Sequence, residues 1–194
     1  MPSRVAEPGP RARLLDTMAR LMQRQGFAAT GLQQILRESG APKGSLYHHF
    51  PGGKEQLAAE AVTLSGRRVA QAIDAMLDNI TDPGEVTSAI AHALARQLSN
   101  SGFVEGCPLA TVVLETPAGS TAIAVALDEA FSSWQQLLAT RLRERGRTST
   151  DAARLATFAM SAIEGALLLS RAHRRTDPLD IAADQLAILL SDTT

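Results

Sequence analysis

From Gly40 to Lys54 the sequence reads Gly-Ala-Pro-Lys-Gly-Ser-Leu-Tyr-His-His-Phe-Pro-Gly-Gly-Lys, and its polar members are groups that suit a polyanion. Lys43 offers an ammonium to a phosphate or a guanine edge, and Ser45 a hydroxyl to a base edge. Tyr47 and His48 offer hydrogen bonds to backbone oxygens. Gly44, having no side chain, allows a helix backbone to approach a groove floor closely. Lys54 opens a further helix, where free amides already favour phosphate. Other chemistries find little support. No Ser/His/Asp, Cys/His or carboxylate arrangement suggests catalysis, no glycine loop cradles a phosphate, and nothing asks for a cofactor. The four histidines lack metal-ligand spacing. Cys107 precedes Pro108 at an expected helix start, where a thiol's pKa can fall; a redox sensor and a small buried hydrophobe are both readings of it.

Helices must position these groups. Ala, Leu, Gln, Arg and Glu dominate, aromatics are 4%, and no sustained alternation marks a strand, so the chain reads as all-α, with about nine helices. The first spans about Arg11–Gln25, with Leu14, Met18, Leu21 and Met22 on one buried stripe, and Gly26 ends it. A second covers Leu32–Ser39 and stops at Gly40. A third starts two residues later, Pro42 supplying the φ of a first helical turn. Leu46 and Phe50, at i and i+4, are its inward residues and should lock onto Ile35. Three short helices with a tight turn between the second and third form a helix-turn-helix, whose last helix enters the major groove.

Beyond it the periodicity predicts helices at about Gly53–Ile80, Glu85–Asn100, Pro108–Glu115, Thr121–Arg145, Asp151–His173 and Leu179–Leu190. Val112-Val113-Leu114 also suits a strand, and Pro117-Ala118-Gly119 is an interruption. The expected division is a flexible arm over 1–10, a DNA-binding domain over 11–55 and a larger helical domain over 56–194.

The charges divide in the same way. Residues 1–55 carry eight basic and four acidic side chains, and the remainder eleven and sixteen, which leaves only the first segment suited to a polyanion. One cysteine permits no intrachain disulfide and fits a reducing cytoplasm. No apolar run approaches the ~20 residues of a membrane span, so the expectation is a cytoplasmic protein, nucleoid-associated when bound to DNA, with no membrane partner.

Gly26-Phe27-Ala28-Ala29-Thr30, Ile35, Gly40 and Lys43 through Phe50 resemble the N-terminal signature of the TetR family of transcriptional repressors over roughly residues 11–62. The resemblance implies that Thr30 contacts a phosphate, that Gln33 and Gln34 reach DNA, and that Lys43, Gly44 and Ser45 are base or groove-floor positions. It also implies that Tyr47, His48, His49 and Lys54 contact the DNA backbone. Gly31 stands where a Ser or Thr cap is usual, at a cost of about a few tenths of a kcal/mol. Pro51-Gly52-Gly53 is one residue longer than the common connection before Lys54. That connection, Ala41-Pro42, Gly106-Cys107-Pro108-Leu109 and Glu164-Gly165-Ala166 resemble the LmrA/YxaF-like branch, whose members are similar in repressing efflux or oxygenase genes and in responding to flavonoids or antibiotics.

The resemblance further implies a homodimer on double-stranded operator DNA, released by a small hydrophobic or aromatic inducer, with residues 56–194 as the ligand-binding and dimerisation domain. Its interface would lie on the last two helices, with Leu155, Ile163, Leu167, Ile181, Leu186, Leu189 and Leu190 as candidates. A dimer also follows from the reading helix, which covers one half-site of a two-fold operator. Candidate ligand contacts combine an apolar wall with a few polar points: Phe103, Phe131, Trp134, Phe158, Met160 and Cys107, with His92, Gln135 and Glu164. All these positions equally suit ordinary core. A small helical enzyme using His48-His49 or Cys107, and a helical scaffold without regulatory DNA binding, are the competing classes.

Overall fold

The computed structural model describes residues 8–116 and 120–191. Most of the expected arm and the Pro117-Ala118-Gly119 interruption lie outside the described residues. Those described form nine helices and no strand: α1 (Pro10–Ala29), α2 (Leu32–Ser39), α3 (Lys43–His49), α4 (Gly53–Asn79), α5 (Pro83–Asn100), α6 (Ala110–Glu115), α7 (Thr121–Glu144), α8 (Ser149–His173) and α9 (Asp177–Leu190). The ambiguous segment around Val112 is therefore helical.

Gly26 does break α1, at φ 81 and ψ 174, but the chain resumes one helical turn through Ala29 instead of leaving as a loop. Leu14, Met18, Leu21 and Met22 form the buried stripe that their spacing predicts. They meet Ile35, Leu46 and Phe50, all fully buried in the same core. Gly40, at φ 60, supplies the left-handed residue that stops α2. Arg13 fastens the turn from outside, its Nε donating to the Ser39 carbonyl at 3.0 Å. The Ser39 hydroxyl accepts from the Ala41 amide at 3.2 Å. Satisfying the last carbonyls of α2 in this way fixes the angle at which α3 leaves.

The three short helices rest on α4, where Arg68 bonds Asp16 at 2.7 Å and Arg11 pairs with Glu60. Two close helix pairs organise the rest. α4 meets α7 at Gly66, whose missing side chain leaves room for Ala130, and the Trp134 indole N–H donates to the Gly66 carbonyl at 2.9 Å. α5 meets α9 at Gly84, where any Cβ would overlap the Ala187 carbonyl and Ser191. Asp82 caps α5, accepting from the Glu85 amide and the Ser191 hydroxyl, both at 2.9 Å.

α8 departs from the expectation about membrane spans. Its 25 residues include a window of mean hydropathy 1.4, long and apolar enough by length and composition to cross a bilayer. The apolar surplus has two destinations: Ala156, Ala159 and Ile163 face inward, while Phe158, Leu168 and Leu169 face outward.

Candidate DNA-reading face and apolar cavity

α3 presents Lys43, Gly44, Tyr47 and His48 to solvent, Tyr47 being 55% exposed, with Ser45 and His49 half-buried beside them. Leu46 and Phe50 are fully buried, so one short helix is divided into an anchoring side and a free side. His48 and His49 meet edge-on at 4.9 Å, and His49 leans on the Phe50 ring at 6.4 Å. A Cβ at Gly44 would meet nothing within 4 Å, so the groove-facing backbone is open. Gln33 is exposed at the start of α2, whose N-cap, Gly31, brings no side-chain bond to the first amides. An uncapped helix start is an anion-binding end.

Three of the expected contact residues are already engaged within the chain. Thr30 is fully buried, and its hydroxyl donates to the Gly26 carbonyl at 2.6 Å; it closes the α1–α2 corner. Gln34 accepts from Gln25 and donates to Glu38, each at 2.9 Å. Arg20 joins this network at 2.8 Å, and its hydrogen bond, helped by that of Gln34, lowers the Glu38 carboxyl below its ordinary range. Lys54 does not extend outward: its ammonium lies 4.2 Å from the centroid of the Phe27 ring. Burial lowers its pKa, against the opposing pull of Glu115.

The second site is a cavity of about 100 Å³ between α4, α5, α7 and α8. Val69, Ile73 and Leu77 form one wall, Ile90 and Leu94 another, and Leu138 and Trp134 a third. Of the residues expected to touch a ligand, Cys107, Trp134, Gln135, Met160 and Glu164 line it. The other four lie elsewhere. Phe158 is on the outward side of α8, Phe131 stands edge-on to Trp134 at 5.2 Å without reaching the cavity, and Phe103 lies beneath Arg174 in a loop. His92 faces Asp180 of α9 at 3.9 Å. α8 is apolar on two sides, so periodicity could not tell Met160 from Phe158. In sequence Ile90, Leu94 and Leu138 resemble ordinary helix-core residues, and no local signal separates them.

Cys107 and Glu164 form the polar corner. Glu164 is raised above the usual carboxylate range by burial, with the Cys107 hydrogen bond only partly opposing this. Burial, and then the neighbouring Glu164, push the Cys107 thiol far up. Of the two readings of Cys107, the small buried hydrophobe fits the geometry and the lowered thiol does not: α6 begins only at Ala110, and Cys107 sits 4% exposed.

The outward stripes of α8 and α9 carry Phe158, Leu168, Leu169, Ile181, Ile188 and Leu189, all exposed. Among the expected interface residues Ile181 and Leu189 belong to this face, and Leu155 borders a groove with Phe158 and Leu189. Ile163, Leu167, Leu186 and Leu190 are buried within the protomer instead.

Comparison with known proteins bears on both sites. Residues 14–61 match the model of bacterial regulatory proteins of the tetR family, and residues 83–185 that of the LmrA/YxaF-like transcriptional regulator C-terminal domain. The chain is 40% identical over 180 residues to the HTH-type transcriptional regulator YxaF of Bacillus subtilis, covering 93% of this chain and 94% of that protein. It is 40% identical over 169 residues to the HTH-type transcriptional regulator LmrA of the same organism, covering 87% and 90%. In fold it is similar to E. coli NemR in its reduced form, with a TM-score of 0.84 at 23% identity, covering 96% of this chain and 100% of that one. The chain therefore belongs to the TetR family, in its LmrA/YxaF-like group, and is a DNA-binding transcriptional regulator of the repressor type, not an enzyme.

Proposed function

We propose that the protein represses transcription as a homodimer on a palindromic operator and is released when a small hydrophobic or aromatic inducer enters the cavity. The observation that carries this reading is α4. One continuous helix has Lys54 beside the reading face at its start and Val69, Ile73 and Leu77 on the cavity wall further along. At 1.5 Å per residue, Lys54 and Val69 are about 22 Å apart along a single rod, so a displacement of the wall is felt at the DNA. Lys43, Gly44 and Ser45 act as the specifying contacts. Tyr47, His48 and His49 position the helix on the backbone, and Gln33 adds a contact from α2.

The exposed stripes of α8 and α9 supply the dimer contact, which sets two α3 helices into successive major grooves. A partner protomer, not a bilayer, covers the apolar side of α8, and the protein works in the cytoplasm at the nucleoid. The division of labour falls near residue 55, with DNA binding before it and ligand binding and dimerisation after it.

A mobility-shift assay against intergenic DNA beside the gene tests the first half. The expected result is a discrete, salt-sensitive complex with a two-fold site; binding no tighter than to random duplex would refute it. A thermal-shift screen of small aromatic compounds tests the second. A ligand that raises the melting temperature should dissociate the complex, and one that stabilises the protein without releasing DNA contradicts the proposed coupling.

A further inference from the structure

The end of α6 reaches across to the DNA-reading end of the molecule. Glu115, its last residue, accepts a hydrogen bond from the Ala28 amide at 2.9 Å, on the short turn that follows the Gly26 kink. The fit there is close: a Cβ on Gly26 would overlap the Glu115 carboxylate, and the φ of 81 independently favours glycine. The next residue back, Phe27, is buried, with the Lys54 ammonium on its ring at 4.2 Å. Thus a carboxylate from α6 and an ammonium from α4 are brought to the same turn of α1, Glu115 on the Ala28 amide and Lys54 on the ring of the adjacent Phe27. Two more contacts tie α1 to the segment before α6. Arg24 pairs with Glu105 at 2.9 Å, and Gln23 donates to the Gly106 carbonyl at 2.7 Å. That segment continues directly into Cys107 and Pro108 of the cavity wall.

We infer that Glu115 is a positioning residue for DNA binding, which holds Lys54 folded onto Phe27 in competition with the phosphate backbone. The ring holds the ammonium in contact and the nearby carboxylate adds a longer-range attraction, so a phosphate must compete with both. α6 thereby restrains one cationic contact of the DNA-binding surface. This rests on the DNA-binding reading above and adds to it that the free protein withholds a charge.

The salt dependence of binding counts such charges, since each phosphate neutralised steepens the slope of log K against log salt by about 0.9. Glu115→Gln keeps an acceptor for Ala28 and removes the charge, so it separates the cap from the restraint. The expected result is severalfold tighter binding to a random duplex at low salt and a slope steeper by about one phosphate, with the melting temperature unchanged. In Glu115→Gln/Lys54→Gln the gain should vanish. An unchanged or shallower slope in Glu115→Gln, or a gain that persists in the double variant, overturns the inference. Absence of any duplex binding by the wild-type protein overturns the underlying reading instead.

A second measurement needs no substitution. Lys43 and Lys54 are the chain's two lysines, so reductive 13C-methylation gives one NMR signal for each beside that of the N-terminal amine. Lys54 should show an upfield ring-current displacement relative to exposed Lys43 and lose it when duplex DNA is added. Coincident lysine signals in the free protein would contradict the restraint.

Discussion

The reading face and the cavity solve opposite problems. In α3 the residues that hold the fold and those that face DNA are different side chains on opposite sides of seven residues: Leu46 inward, Lys43 and Tyr47 outward. Around the cavity the same side chains do both jobs, as when Ile163 packs α8 into the core and also faces the empty space. Function at the first site can therefore change without touching stability. At the second the two move together.

The largest effect tests the anchoring side. Phe50→Ala should lower unfolding free energy by about 3–5 kcal/mol, the usual range for a fully buried Phe, measured by urea denaturation. A loss of under about 1 kcal/mol would mean that α3 is not held by its inward residues. Next comes the outward side of the same helix. Lys43→Ala should weaken operator binding by about 1–3 kcal/mol, roughly 5- to 150-fold, with the melting temperature unaltered. A drop in stability alongside would erase the distinction between the two sides.

The cavity should behave differently. Because the folded state keeps the Glu164 proton to higher pH than the unfolded chain, stability must fall as pH rises from the ordinary 4.5 towards the raised value, and level off above it. Glu164→Gln should flatten that decline in a series of thermal melts, and should alter ligand response in the same variant. A wild-type curve with no fall across this window would show that the carboxyl is not buried in its neutral form. The smallest effect returns to the DNA side. Gly31→Ser places an N-cap hydroxyl where nothing obstructs a Cβ, at φ −88 and ψ 146, and should add a few tenths of a kcal/mol. A loss on melting would show that the α2 start is tighter than its open surroundings indicate.

The sequence was most legible where contacts are local. Leu46 and Phe50 lie one turn apart and point the same way in any helix, and Gly40 marks its own turn, so the arrangement of α2 and α3 follows from short-range rules. What escaped depends on distant partners. Lys54 looks like an outward cation until the Phe27 ring is beneath it, and Thr30 looks available until its hydroxyl meets the Gly26 carbonyl. Glu115 itself, an acid ending an apolar helix, resembles a solvent-facing terminus; the only hint was a glycine kink whose following amide needs an acceptor. The cavity residues were half legible, because Trp134 and Glu164 stand out by type, while Met160 and Phe158 are distinguished only by which way a two-sided helix is turned.

Trp134 is the chain's sole tryptophan, and its indole joins the cavity wall to the Gly66 carbonyl in the middle of α4. The protein consequently carries a built-in optical reporter. Displacing water from the cavity should blue-shift the emission, quenching by an aromatic guest should dim it, and a shift of α4 should disturb the indole's hydrogen bond. Occupancy and its transmission towards the DNA can be followed by fluorescence on the unlabelled chain.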